Sequence, residues 1–218
     1  MLKEFWDDMV SPALKWIWCI LLTFSLGITL FDGKLQQNLT IISNITGWMV
    51  TQNLAVIAMV GLTFFALTKL SPVFSWSWLS FFRSQEDGVI DSKPQGENLN
   101  IMPMKIKYFG LIFTLLLIVN LPSLAMSEEK MFRSGTADWL DGLFISCLFG
   151  MTHCLAGVPI GVGIALTWGG LWFTHQYFSG GIELSMLHHT TYNLIIVSVL
   201  FLILIIKHIV EIKQKRAL

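Results

Sequence analysis

Three groups of polar residues interrupt the apolar second half of the chain: Glu128-Glu129-Lys-Met-Phe-Arg133, Phe149-Gly-Met-Thr-His153 and His188-His189-Thr-Thr-Tyr-Asn193. A charged side chain in a membrane helix costs about 2.5 to 3.5 kcal/mol on insertion scales, so each group is a site candidate. On a helix, Glu129 and Arg133 stand at i and i+4, where opposite charges meet. Glu128 is then turned about 100° away from that pair, against apolar walls, which leaves it for general acid or base work. His153 follows Phe149 by one turn, so a ring packs beneath its imidazole. His189 and Asn193 are also one turn apart, and two adjacent donors in a dry site suit a developing oxyanion. The plainer readings are a solvated helix end beside Ser127 and Ser134 for the glutamates, and satisfied packing groups for the histidines.

The elements that must carry these residues are helices. The chain is 54% hydrophobic and only 13% charged, against about 25% charged for a soluble domain, which excludes an ordinary soluble globule. Its apolar runs are long and continuous, whereas barrel strands would alternate over about ten residues. The expected fold is all-α, a polytopic transmembrane bundle of about six spans: Ala13 to Phe31, Trp48 to Leu70, Tyr108 to Leu121, Leu143 to Ala156, Ile160 to Phe178 and Ile182 to Ile206. The first run follows Lys3, Glu4, Asp7, Asp8 and Lys15 with no small-residue cleavage site after it, and reads as a retained span.

Residues 1–104 form an amino-terminal two-span region with a polar loop, Arg83 to Asn100, and residues 105–218 form the part that carries the chemistry. Ahead of the loop, Phe74, Trp76, Trp78, Phe81 and Phe82 suggest a segment at the headgroup level. Lys and Arg around that loop and at the chain's end put both on the cytoplasmic side, with the segment holding Lys34 outside. That outer segment carries two glycosylation triplets, at Asn38 and Asn44, of a kind common by chance. Fourteen basic residues balance fourteen acidic ones, so nothing points to nucleic acid. Cys19, Cys147 and Cys154 read as packing residues, since His153 and Cys154 are adjacent and point apart on a helix. A turn at Asp138 to Gly142 would bring Glu128 and His153 to one depth, with Gly157, Gly161 and Gly163 allowing close approach and Pro122 kinking or restarting the chain.

Glu128-Glu129-x-x-x-Arg133, Phe149-x-x-x-His153 and His189-x-x-x-Asn193, in this order, resemble the three motifs of the CPBP (Abi) intramembrane proteases, which include prenyl-protein (CAAX) endopeptidases. The resemblance covers about residues 105 to 206 and extends to Phe132-Arg133-Ser-Gly and to Tyr177-Phe-Ser-Gly-Gly181. It implies a CPBP-like catalytic core and a peptide hydrolase in which Glu128 and His153 activate a water. His189 and Asn193 would stabilise the oxyanion, while Glu129, Arg133 and Phe149 support them. The resemblance also implies no cofactor and no metal, a membrane-anchored protein or peptide as substrate, the lipid bilayer as surroundings and a bacterial inner membrane as location. The spacing from the glutamates to His153 is shorter than in the family. Among small bacterial members, the chain looks more like proteases that trim carboxy-terminal anchors in protein sorting than those linked to bacteriocin processing.

Three other uses of the same residues compete. Glu128, His153 and His189 would make a His2Glu zinc shell, although no HExxH occurs. They would equally serve a transporter or proton relay. A bacteriocin self-immunity or binding protein would keep the fold without the chemistry.

Overall fold

The computed structural model describes residues 29–77, 109–155 and 157–216, with Thr23 and Gly27. All secondary structure among them is helical: α1 (Lys34–Ser43), α2 (Gly47–Leu70), a 3-10 turn (Pro72–Ser75), α3 (Phe109–Arg133), α4 (Trp139–Leu155) and a helical run, Ile160–Arg216. Most of the expected first span, the polar loop from Arg83 to Asn100, and Trp78, Phe81 and Phe82 lie outside the described residues.

The last run is two helices, because Gly180 (φ −154°, ψ 20°) and Gly181 (φ 76°, ψ −170°) leave the helical region. Phe173 and His189 stack with ring centroids 4.4 Å apart. Along a straight helix sixteen residues would separate them by roughly 24 Å. The chain therefore doubles back at Gly181, whose positive φ is one that L side chains rarely adopt. The halves are called α5 (160–179) and α6 (182–216).

Two helical stretches, Gly47–Leu70 and Ile160–Ile203, are long and apolar enough to cross a membrane, and Trp139–Leu155 is a shorter apolar helix. The reversal at Gly181 divides the second stretch into halves of about the 20 residues that a bilayer requires. Leu62, Leu140, Leu200, Leu202 and Ile206 are exposed, while Asn53, Asn120, Glu129, Arg133, Thr174 and Ser185 are buried. An apolar exterior over a polar interior inverts the pattern of a soluble domain.

The boundaries follow from local chemistry. Thr46 caps α2 by accepting from Met49 N at 3.3 Å, and the helix ends at Ser71 ahead of Pro72. Asp138 caps α4: its Oδ1 accepts from Leu140 N at 2.8 Å and Asp141 N at 3.0 Å, while Asp141 Oδ2 accepts from Ala137 N at 3.3 Å. The expected turn at Asp138 to Gly142 thus belongs to the start of α4, and the chain turns through residues 134–138 instead, with Gly135 at φ 94°. Acidic residues that look like turn material are here helix caps.

Pro122 neither ends nor restarts α3, which runs through it. Proline has no N–H for the carbonyl four residues back and crowds it. Asn38 of α1 docks on the neighbouring turn, donating from Nδ2 to Val119 O at 3.1 Å and lying 2.8 Å from Ser123 Oγ. Asn38 is therefore buried and engaged, which leaves its triplet without an accessible acceptor.

α4 and α5 meet along a seam of small residues. A Cβ on Gly150 would lie 2.1 Å from Gly163 O, one on Gly170 2.8 Å from Ser146 Cα, and one on Gly142 2.5 Å from Thr174 Cγ2. The close approach runs through Gly142, Ser146 and Gly150, with Gly163 opposite. The expected Gly157 and Gly161 pair does not form it: Gly157 sits in the turn after α4 at φ 92°, and Gly161 makes room for Phe74 O, 2.7 Å from where its Cβ would be. The 3-10 turn thus docks on the start of α5, where Ile160 N donates to Trp76 O at 2.9 Å.

Candidate active site

The site forms where the ends of α3 and α4 face the hairpin of α5 and α6. Glu129 and Arg133, one turn apart on α3, pair at 3.3 Å (Oε1 to Nη1), and both side chains are 0% exposed. Arg133 also donates from Nη2 to Gly170 O at 3.2 Å. Its guanidinium lies 4.6 Å from the Phe149 ring, 5.6 Å from Phe173 and 5.8 Å from Phe132. Three ring faces and one carboxylate thus take the place of water around the cation.

The carboxylate of Glu129 holds more than its arginine. Its Oε1 accepts from His189 Nδ1 at 2.7 Å, and its Oε2 accepts from the Ser185 hydroxyl, whose Oγ is also 2.8 Å from Phe173 O. His189 and Ser185 stand one turn apart on α6, so both reach the same carboxylate. The His189 ring is stacked on Phe173 and meets Phe149 edge-on at 5.5 Å. With Nδ1 donating to Glu129, His189 presents its other nitrogen outward: Nε2 lies 3.6 Å from Glu128 Oε2. Glu128 itself is 36% exposed. The result is a row, from the buried Glu129 through His189 to the accessible Glu128.

His153 arrives from α4. Its Nδ1 donates to Phe149 O at 2.7 Å, and the two rings are 4.8 Å apart, so Phe149 lies against both His153 and His189. That bond leaves His153 Nε2 with its lone pair. No hydrogen bond or ion pair joins His153 to Glu128 among the described residues. Because the turn before α4 falls earlier than the expected one, the two residues are not brought level by simple antiparallel pairing. Asn193 is half-buried one turn beyond His189, without a hydrogen-bond partner among the described residues. No group of three or more His, Cys, Asp or Glu among the described residues is placed to hold a metal ion.

Ser185 and Phe173 did not emerge from the sequence. Neither carries a charge, and each reaches the site only through the reversal at Gly181. The Gly180-Gly181 pair, which separated the last two expected spans, was the available signal. Cys154 points away from this chemistry, its Sγ 3.9 Å from Pro159 O. Compared with known proteins, the chain matches no family model, no curated protein and no solved structure.

Proposed function

We propose that the chain is an intramembrane endopeptidase of the glutamic type, hydrolysing a peptide bond of membrane-associated proteins near their carboxy-terminal anchor in a bacterial cell membrane. The observation that carries this reading is the row Glu129–His189–Glu128, in which a fully buried carboxylate fixes an imidazole and aims its far nitrogen at an accessible carboxylate 3.6 Å away. The order of the three motifs, which resembles that of the CPBP proteases, supports it.

In this reaction Glu128 takes a proton from a water that attacks the scissile carbonyl carbon. His153, with Nε2 free, helps to orient that water. In this role His189 acts in the form with a proton on each ring nitrogen, Nδ1–H held by Glu129 Oε1 and Nε2–H facing Glu128. Nε2–H and the Asn193 amide then donate to the oxyanion as the carbon becomes tetrahedral. When the C–N bond breaks, Glu128 returns its proton to the leaving amine, and the intermediate collapses to a carboxyl product.

The test compares carboxy-terminal peptides of membrane proteins by mass spectrometry in cells carrying the wild type or Glu128→Gln at equal levels. Longer or anchored termini accumulating only with the variant are expected, and they would identify the substrate. Identical termini, with proton flux into proteoliposomes that disappears in Glu128→Gln, would replace this reading with a proton relay.

A further inference from the structure

Among the described residues, the amino-terminal helix α2 contributes one buried polar side chain to the site's surroundings, beside Val56 and Val60, which pack in the core with Phe149 and Phe173. Asn53, fully buried on an otherwise apolar face, donates from Nδ2 to its own helix at Met49 O (2.9 Å) and reaches His188 Nδ1 on α6 at 3.1 Å. Met49 O can only accept, so the amide nitrogen and not its oxygen must face it. The same nitrogen faces His188, which makes His188 Nδ1 the acceptor and places the ring's proton on Nε2. Trp172 of α5 packs edge-on against that ring at 5.4 Å. His188 and His189 are therefore opposite in kind: His188 accepts at Nδ1, and His189 donates there to Glu129.

The amide stands where it gains little for itself. Asn53 Oδ1 is buried with no hydrogen-bond partner, a state that penalises the fold and that an apolar residue would avoid. What the amide does accomplish is geometric. Consecutive residues on a helix project about 100° apart. Holding His188 from α2 and His189 from α3 therefore fixes the rotation of α6 about its axis. A rotation of about 10° would move a side-chain tip at the helix's outer radius by about 1 Å. A displacement of that size can lower a rate about 100-fold.

We propose that Asn53 is a positioning residue: through His188 it sets the rotation of α6 and so aims His189 Nε2 at Glu128. α2 thereby takes part in the site without touching substrate. Only the kinetic part of the test rests on the peptidase reading; the spectroscopic part does not require that the protein cleave anything.

The experiment is nitrogen-15 histidine NMR of the full chain in lipid nanodiscs, with His188 assigned by its loss on substitution. The wild type is expected to show His188 protonated at Nε2 only; a proton on Nδ1 would overturn the proposal. In Asn53→Leu and His188→Leu the His189 resonances should move, and kcat should fall about 10- to 100-fold with KM unchanged. His188→Gln, whose amide oxygen can accept from Asn53, should retain the His189 resonances and most of kcat. His189 resonances and kcat unchanged in both leucine variants, or equal losses in His188→Gln and His188→Leu, would reduce the pair to packing and overturn the proposal. A wild type that cleaves nothing would remove the peptidase reading while leaving the His189 resonances to decide this one.

Discussion

At the scale of residues, the pair that matters most for stability is not the one proposed for the chemistry. Glu129 and Arg133 are both removed from solvent, and among the described residues Arg133 also meets Gly170 O and three aromatic faces. Removing one partner of a buried ion pair typically costs about 3 to 5 kcal/mol, because the other charge is left uncompensated. Glu129→Leu and Arg133→Met should therefore each lower the melting temperature strongly in detergent. The double variant should melt above either single one, since it buries no lone charge. Losses that simply add would show that the two charges do not depend on each other. The reason for pairing these residues was visible in their i, i+4 spacing, as was the ring beneath His153. Ser185, Phe173 and Asn53 were not visible, because an uncharged side chain acquires its meaning from what the fold brings to it.

Helices and their seams are set by small residues and caps more than by the apolar runs themselves. The glycines at 180 and 181 end α5 in the interval that the hydropathy pattern left between Phe178 and Ile182, because a residue at φ 76° is itself a break. The turn before α4 was displaced for a related reason. Asp138 and Asp141 have the composition of a loop, but they bond helix-start N–H groups, and sequence alone does not separate a cap from a turn. The α4–α5 seam leads to a prediction at this scale. A methyl group on Gly150 would sit 2.1 Å from Gly163 O, a backbone atom that has no rotamer with which to give way. Gly150→Ala should destabilise the protein by at least the 1 to 3 kcal/mol typical of overpacking, about the same order as a lost core contact. Gly135→Ala, at φ 94° but with open space around it, should show backbone strain alone and a smaller loss. Thermal unfolding of the two variants side by side checks this, and a Gly150→Ala protein as stable as the wild type would mean that the helices are not in close contact there.

For the molecule as a whole, the consequence of the reversal at Gly181 is a defined pair of ends. At one end Trp139, at the start of α4, lies 5.1 Å from Phe178 at the end of α5, so the turn at residues 134–138 and the Gly180–Gly181 turn share a side. At the other end Ile160 N bonds Trp76 O, which brings the start of α5 beside the 3-10 turn that follows α2. If the bundle spans a bilayer, a hydrophobic stretch from Ile160 to Ile203 crosses it twice, and Glu128 lies closer to the first end: it precedes the turn at residues 134–138 by fewer than ten residues, at about 1.5 Å each. In a chain whose native cysteines have been replaced by serine, Ser134→Cys and Ser179→Cys should react with a membrane-impermeant maleimide from the same face of sealed vesicles. Ser75→Cys should react only from the opposite face. Labelling of positions 134 and 179 from different faces would mean that the run from Ile160 crosses once, and Glu129, Ser185 and His189 could not then meet. Agreement would place Glu128 within one half of the bilayer, within reach of water from that surface, where a hydrolase can draw its second substrate without opening the lipid-facing side.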